Sequence, residues 1–102
     1  MNALIQDKQD ELVRLCRRYH VRKLELFGSA TRDDFDPRTS DLDFLVEFDD
    51  IQPADFSDAY FGMLASLEEL FDRNIELVST AAVQNPYFLE AIERSRTILY
   101  AA

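Results

Sequence analysis

Three acidic residues and one glycine–serine pair stand out for the chemistry their spacing allows. Asp41 and Asp43 are one residue apart in the stretch Ser40-Asp41-Leu42-Asp43-Phe44-Leu45-Val46-Glu47-Phe48. On a strand, residues i and i+2 point the same way and lie about 6.6–6.8 Å apart along the chain, and their carboxylate tips can converge further. Two divalent ions in a phosphoryl-transfer centre sit about 3.5–4 Å apart, so such a pair can bracket or bridge them. Hard oxygen ligands select Mg²⁺ or Mn²⁺ over zinc. A third carboxylate is needed to hold the metals firmly, and Glu76 is the candidate. It is the one acidic residue in Asn74-Ile75-Glu76-Leu77-Val78-Ser79, and apolar residues flank it. Gly28-Ser29 suits phosphate, because glycine lets backbone N–H groups come close and the serine hydroxyl can donate to the anion. Arg32 offers a fork of donors for the same anion. Read singly, these are a tight turn and a strand entering from solvent. Their joint occurrence carries the chemical reading.

The elements that position these residues follow from periodicity. Leu42, Phe44, Val46 and Phe48 alternate with Asp41, Asp43, Leu45 and Glu47. A period of two predicts a strand over 41–48 with one buried face. Residues 22–28 read as a preceding strand stopped by Gly28. The polar loop 29–40, with a turn at Asp36-Pro37, is too short for a helical crossover, so the two strands are expected to be antiparallel. Residues 4–19 read as a helix with Leu12, Leu15, Cys16 and Tyr19 on one face. A second helix runs from Pro53 or Ser57 to Phe71 on the stripe Tyr60, Met63, Leu64, Leu67 and Leu70. Residues 74–79 are a third strand, parallel to the second because a helix connects them. Ala81–Arg94 reads as a shorter helical stretch, with Pro86 suited to a first helical position and Phe88, Leu89 and Ile92 apolar. Residues 97–100 close the chain as a last strand. The expected fold class is α/β (α+β): a mixed β-sheet with helices packed on it, in a single domain spanning residues 1–102.

Composition narrows the function classes. A hydrophobic content of 47% is too high for a disordered chain. No apolar run is long enough to span a membrane, and the charged N-terminus lacks a signal-peptide core. Cys16 is the only cysteine, which excludes a disulfide framework and a cysteine-based zinc site. A cytoplasmic location is expected. The net charge of −9 argues against non-specific nucleic-acid binding, which needs Lys and Arg on phosphates. It would suit a basic protein partner, or simply aid solubility.

Gly28-Ser29, a loop, and then Ser40-Asp41-Leu42-Asp43-Phe44-Leu45-Val46 together resemble the signature of the nucleotidyltransferase superfamily, which includes DNA polymerase β and kanamycin nucleotidyltransferase. The chain length and the Asn74–Val78 strand are similar to the minimal nucleotidyltransferases (MNT), including the antitoxins of HEPN/MNT toxin–antitoxin systems. The resemblance implies a palm-like mixed sheet that binds Mg²⁺ and a nucleoside triphosphate, with ATP the family substrate. Asp41, Asp43 and Glu76 would match its metal-binding catalytic carboxylates. Gly28, Ser29, Arg32 and Ser40 would match its phosphate-binding motif. The implied partner is a HEPN-type toxin, silenced by transfer of AMP to a tyrosine. The sequence departs from the pattern at Asp33, where glycine often follows the motif arginine, and at Glu76, where the third carboxylate is usually Asp.

Other readings compete. An MNT-like antitoxin could neutralise its toxin by binding alone. Nucleotide transfer to RNA suffers from the charge of −9 and from the lack of a basic groove. A calcium-binding loop starting at Asp34 fails, because its sixth and twelfth positions fall on Thr39 and Leu45 where glycine and glutamate are needed. A small domain with half a cleft takes the other half from a partner or a second copy, so a homodimer and a hetero-oligomer are both compatible with the sequence.

Overall fold

Alternation along two neighbouring apolar runs sets the sheet. The computed structural model describes residues 3–28, 41–80, 86–87, 90 and 96–102. In chain order these form α1 (Ala3–Gln6), α2 (Gln9–Arg18), β1 (Val21–Phe27), β2 (Leu42–Phe48), α3 (Pro53–Phe71), β3 (Ile75–Ser79) and β4 (Thr97–Ala101). The strands lie in the order β3-β2-β1-β4. β1 runs antiparallel to β2 and to β4, while β2 and β3 are parallel. The mixed sheet expected from the connection lengths is the one observed. A parallel pair cannot be joined by a tight turn, and α3 supplies the crossover.

One face of the sheet carries the main core. Leu24, Leu26, Leu42, Phe44 and Val46 are buried there against Met63 and Leu67 of α3, Leu12 and Cys16 of α2, and Ile5 of α1. The Phe44 and Phe71 rings stack with centroids 6.0 Å apart. Each such side chain contributes about 1.5–3 kcal/mol by leaving water. Pro53 at the first helical turn suits the start of α3, because its missing N–H has no helical acceptor there. α2 and α3 stop at residues in left-handed backbone, His20 (φ 59°) and Asp72 (φ 51°). Among the described residues, no helix is long and apolar enough to cross a membrane.

Three expectations need correction. The first helix is not continuous over 4–19. It breaks at Asp7-Lys8, where the Lys8 N–H donates to Ile5 O in a tighter turn and the helix restarts at Gln9. The restart lets Ile5 enter the core and lets Gln9 Nε2 donate to Leu99 O of β4 at 2.9 Å. The first strand begins and ends one residue earlier than the composition suggested, because Gly28 has left the extended region. The second strand is not buried on one face only. Leu45, on the face of Asp43, is 4% exposed and packs with Phe27 and Val78 in a second, small cluster. The helical stretch expected over 81–94 lies mostly outside the described residues, as do Phe88, Leu89 and Ile92; Pro86 and Tyr87 are helical.

Candidate active site

The site face is the one opposite the main core. Strand register places its members side by side. Asp43 of β2 is paired with Glu76 of β3 on one flank and with Phe27 of β1 on the other. Paired residues on neighbouring strands lie about 4.8 Å apart and project to the same side. Glu76 and Asp43 are therefore immediate neighbours, although α3 separates them in sequence. A hydrogen bond from Leu42 N to Asn74 O, 3.4 Å long, joins the entrances of β2 and β3 and fixes the level at which Asp43 and Glu76 meet. Asp41 lies just before β2 and is exposed; Asp43 is half-buried; Glu76 is exposed.

Gly28 ends β1 beside this row. Its φ of 75° lies in the left-handed region that favours glycine, so the extended run of β1 stops before it. The absence of a side chain matters as much as the angle. A Cβ at position 28 would run into the Asp43 carboxylate, with Oδ2 the nearest atom. The glycine thus lets the backbone lie directly against an acidic group, an arrangement suited to a ligand that bridges carboxylate and backbone.

Of the residues singled out by sequence, Gly28, Asp41, Asp43 and Glu76 are gathered at one end of the sheet. Ser29, Arg32 and Ser40 lie outside the described residues. Among the described residues, no three His, Cys, Asp or Glu side chains are drawn into a ready-made metal cage. Mutual repulsion gives a reason. Two unit charges 4 Å apart repel by about 4 kcal/mol at an effective dielectric near 20, so three carboxylates without a cation hold apart.

Comparison with known proteins bears on this geometry. Residues 10–99 match the family model described as the nucleotidyltransferase domain. The chain is also 33% identical over 76 residues, 74% of each chain, to a Methanocaldococcus jannaschii protein named "Putative protein adenylyltransferase MJ1379". The chain belongs to the nucleotidyltransferase domain family. Solved structures share the fold at lower identity. A toxin–antitoxin complex with AMP-PNP superposes with a TM-score of 0.67 at 17% identity, over 92% of this chain and 73% of that one. The MNT antitoxin in complex with the tri-AMPylated HEPN toxin of Shewanella oneidensis gives 0.65 at 17% identity, over 95% and 72%.

For this nucleotidyltransferase, a divalent metal fits the residues present. The donor set is all hard carboxylate oxygen, Asp43 and Glu76 are adjacent by register, and the Asp43 carboxylate lies against the Gly28 backbone in the space a Cβ would fill. Asp41, Asp43 and Glu76 would hold the ion. When bound, it would supply charge stabilisation for phosphoryl oxygens.

Sequence reasoning missed Glu25. It lies on the site face, paired with Leu45, and is 3% exposed. Lys23 Nζ stands 3.3 Å from Oε1 and Arg96 Nε 3.4 Å from Oε2. Oε2 nonetheless lacks a well-formed hydrogen bond. A carboxylate buried this deeply persists because two cations bracket it; removing both would leave an uncompensated buried charge. The signal was present: Glu25 interrupts the apolar run Leu24 to Phe27, as Glu76 interrupts its own strand.

Proposed function

We propose that this protein transfers AMP from ATP to a hydroxyl of a protein partner, with Mg²⁺ or Mn²⁺, and that the acceptor is a tyrosine of a HEPN-type toxin for which it acts as antitoxin. The observation that carries this reading is the Asp43–Glu76 pairing beside a side-chain-free Gly28, in a chain of the nucleotidyltransferase family. The relative named as a protein adenylyltransferase supports the acceptor class. The solved complexes with an AMPylated HEPN toxin and with AMP-PNP support the partner and the nucleotide.

The chemistry is an in-line displacement. The acceptor oxygen forms a bond to the α-phosphorus, the bond from that phosphorus to the bridging oxygen breaks, and pyrophosphate leaves. The hydroxyl proton passes to a carboxylate, for which Glu76 is best placed because it is exposed and stands beside Asp43. Asp41 and Asp43 would hold the cation, which when bound would supply charge stabilisation for the phosphate oxygens of the nucleotide. The phosphate contacts in this reading are assigned to Gly28, Ser29, Arg32 and Ser40 from the sequence motif alone.

A labelling assay tests the reading. α-Labelled ATP and Mg²⁺ are added to host lysate with the wild-type protein and with an Asp41→Ala, Asp43→Ala variant. Label on one small protein, lost in the variant, is the expected result. Label on RNA would replace the acceptor class. No label with any of the four nucleotides, while a partner still co-purifies, would leave an antitoxin that acts by binding alone.

A further inference from the structure

Away from the carboxylates, the outer edge of the sheet carries a feature that the transfer reaction does not use. A groove of about 400 Å³ runs between α3 and the edge strand β3. Phe56, Tyr60, Phe61, Leu77 and Val78 line it, with two serines. Its aromatic wall is continuous. Phe48 meets Phe56 edge-on at 5.4 Å, Phe56 stacks on Tyr60 at 6.1 Å, and Tyr60 meets Phe61 edge-on at 5.2 Å. The run surfaces at Phe61, which is 63% exposed. Tyr60 also donates its hydroxyl hydrogen to Leu77 O, tying the helix to the strand and giving the groove a fixed floor.

Among the described residues, the charge near the groove is mostly acidic. Asp55 and Asp58 lie on the same turns of α3 as Phe56 and Ser57, and α3 has no Lys or Arg. Asp49 and Asp50 lie in the adjoining hollow, which shares Phe56 and Ser79 with the groove. The cation there, Arg22, is paired with Asp49 at 3.2 Å and with Glu47 at 3.9 Å. We propose that this groove is a docking site for a protein surface that presents apolar side chains ringed by Lys and Arg. Aromatic side chains in a fixed cleft are the residues that anchor protein interfaces, and a rim of one charge selects a partner of the other. A second copy of this chain brings the same anionic helix and a net charge of −9, so it is the wrong occupant. Phosphate-rich surfaces are repelled for the same reason.

Leu77, in the groove wall, directly follows Glu76 on β3 and so faces the other way, into the main core. The groove therefore lies on the α3 side of the edge strand, apart from the carboxylates, and the docking does not rest on the adenylyl-transfer reading.

The chain contains no tryptophan, so a tryptophan in a synthetic peptide reports binding without interference. The probe is a helical peptide with a Leu/Trp stripe flanked by lysines, and its control replaces every lysine with glutamate. The lysine peptide should bind, more weakly at high salt, and should shift backbone amide resonances over 56–61 and 77–79. Phe61→Ala and a paired Asp55→Asn, Asp58→Asn variant should each weaken it about tenfold. Equal binding of the glutamate peptide, unchanged affinity in Phe61→Ala, or shifts confined to the α2 side of α3 would overturn the proposal. So would sedimentation showing that the chain dimerises through Phe61. ATP binding by Phe61→Ala should equal wild type, which separates the two readings. Peptide docking without AMP transfer by the wild type removes the enzyme and keeps the groove; AMP transfer without docking does the reverse.

Discussion

The two faces of one sheet are built from the same strands, residue by residue in alternation, and they differ in what they tolerate. On the core face, Leu24, Leu26, Phe44 and Val46 are almost wholly buried beneath α2 and α3. On the site face, Phe27, Leu45 and Val78 form a small apolar island. Glu25 is buried behind it, and Asp43 and Glu76 stand at its end. The contrast teaches a division of labour. Stability comes from the face that covers its side chains, and the carboxylates of the candidate site lie on the other. A strand with period two delivers both because neighbouring residues face opposite ways.

The division can be broken from either side. Phe44→Ala removes a fully buried ring from the core face and should cost about 3–5 kcal/mol, a large share of the roughly 5–15 kcal/mol that holds a domain together. Urea unfolding would read it, and a loss under 1 kcal/mol would mean that the core face is not where stability resides. Gly28→Ala strains a left-handed residue and pushes a methyl group at Asp43. The expected cost is about 1–2 kcal/mol, accompanied by a fall in nucleotide transfer larger than the loss of folded protein explains.

Cys16 gives a smaller, pH-dependent effect. Burial pushes its thiol up from 9.0 to about 12. A pKa raised in the folded state contributes stability that is intact below pH 9. It is lost as the pH climbs from 9 towards 12, because the unfolded chain ionises first. Between pH 8 and pH 10 wild type should lose about 1 kcal/mol more than Cys16→Ala does. Equal losses would show that the thiol ionises as easily folded as unfolded. The smallest effect is expected at the site. Asp43→Asn removes one member of a repelling set, so without metal its melting temperature should be no lower than wild type. A clear drop would show that the carboxylates stabilise the sheet rather than strain it.

Much of this was legible in the sequence because the strands are short and strongly patterned. The alternation of Leu42, Phe44, Val46 and Phe48 with Asp41, Asp43, Leu45 and Glu47 pointed to β2, and the connection lengths pointed to its antiparallel and parallel neighbours. The pairing of Asp43 with Glu76 was less accessible. It depends on register across a parallel pair, which the length of α3 does not fix. The break at Asp7-Lys8 was hidden because neither residue disfavours helix strongly; the restart is driven by Ile5 and Gln9 meeting distant parts of the chain. Glu25 and Leu45 were hidden for a related reason. An alternating strand looks half-exposed until something covers the middle of its second face.

The parallel pairing of β2 with β3 has a consequence in time. Gly28 follows β1, Asp41 precedes β2 and Asp43 lies on β2, so the three belong to one antiparallel pair and its ends, all made before α3. Glu76 comes only after the whole of α3 has been made and has packed, since the crossover must form before β3 can find its edge. The site is therefore assembled in two instalments, with its last carboxylate held back until most of the core exists. A nascent chain that stops before β3 has Gly28, Asp41 and Asp43 without Glu76. A partner that depends on the full carboxylate set must wait until β3 has been translated.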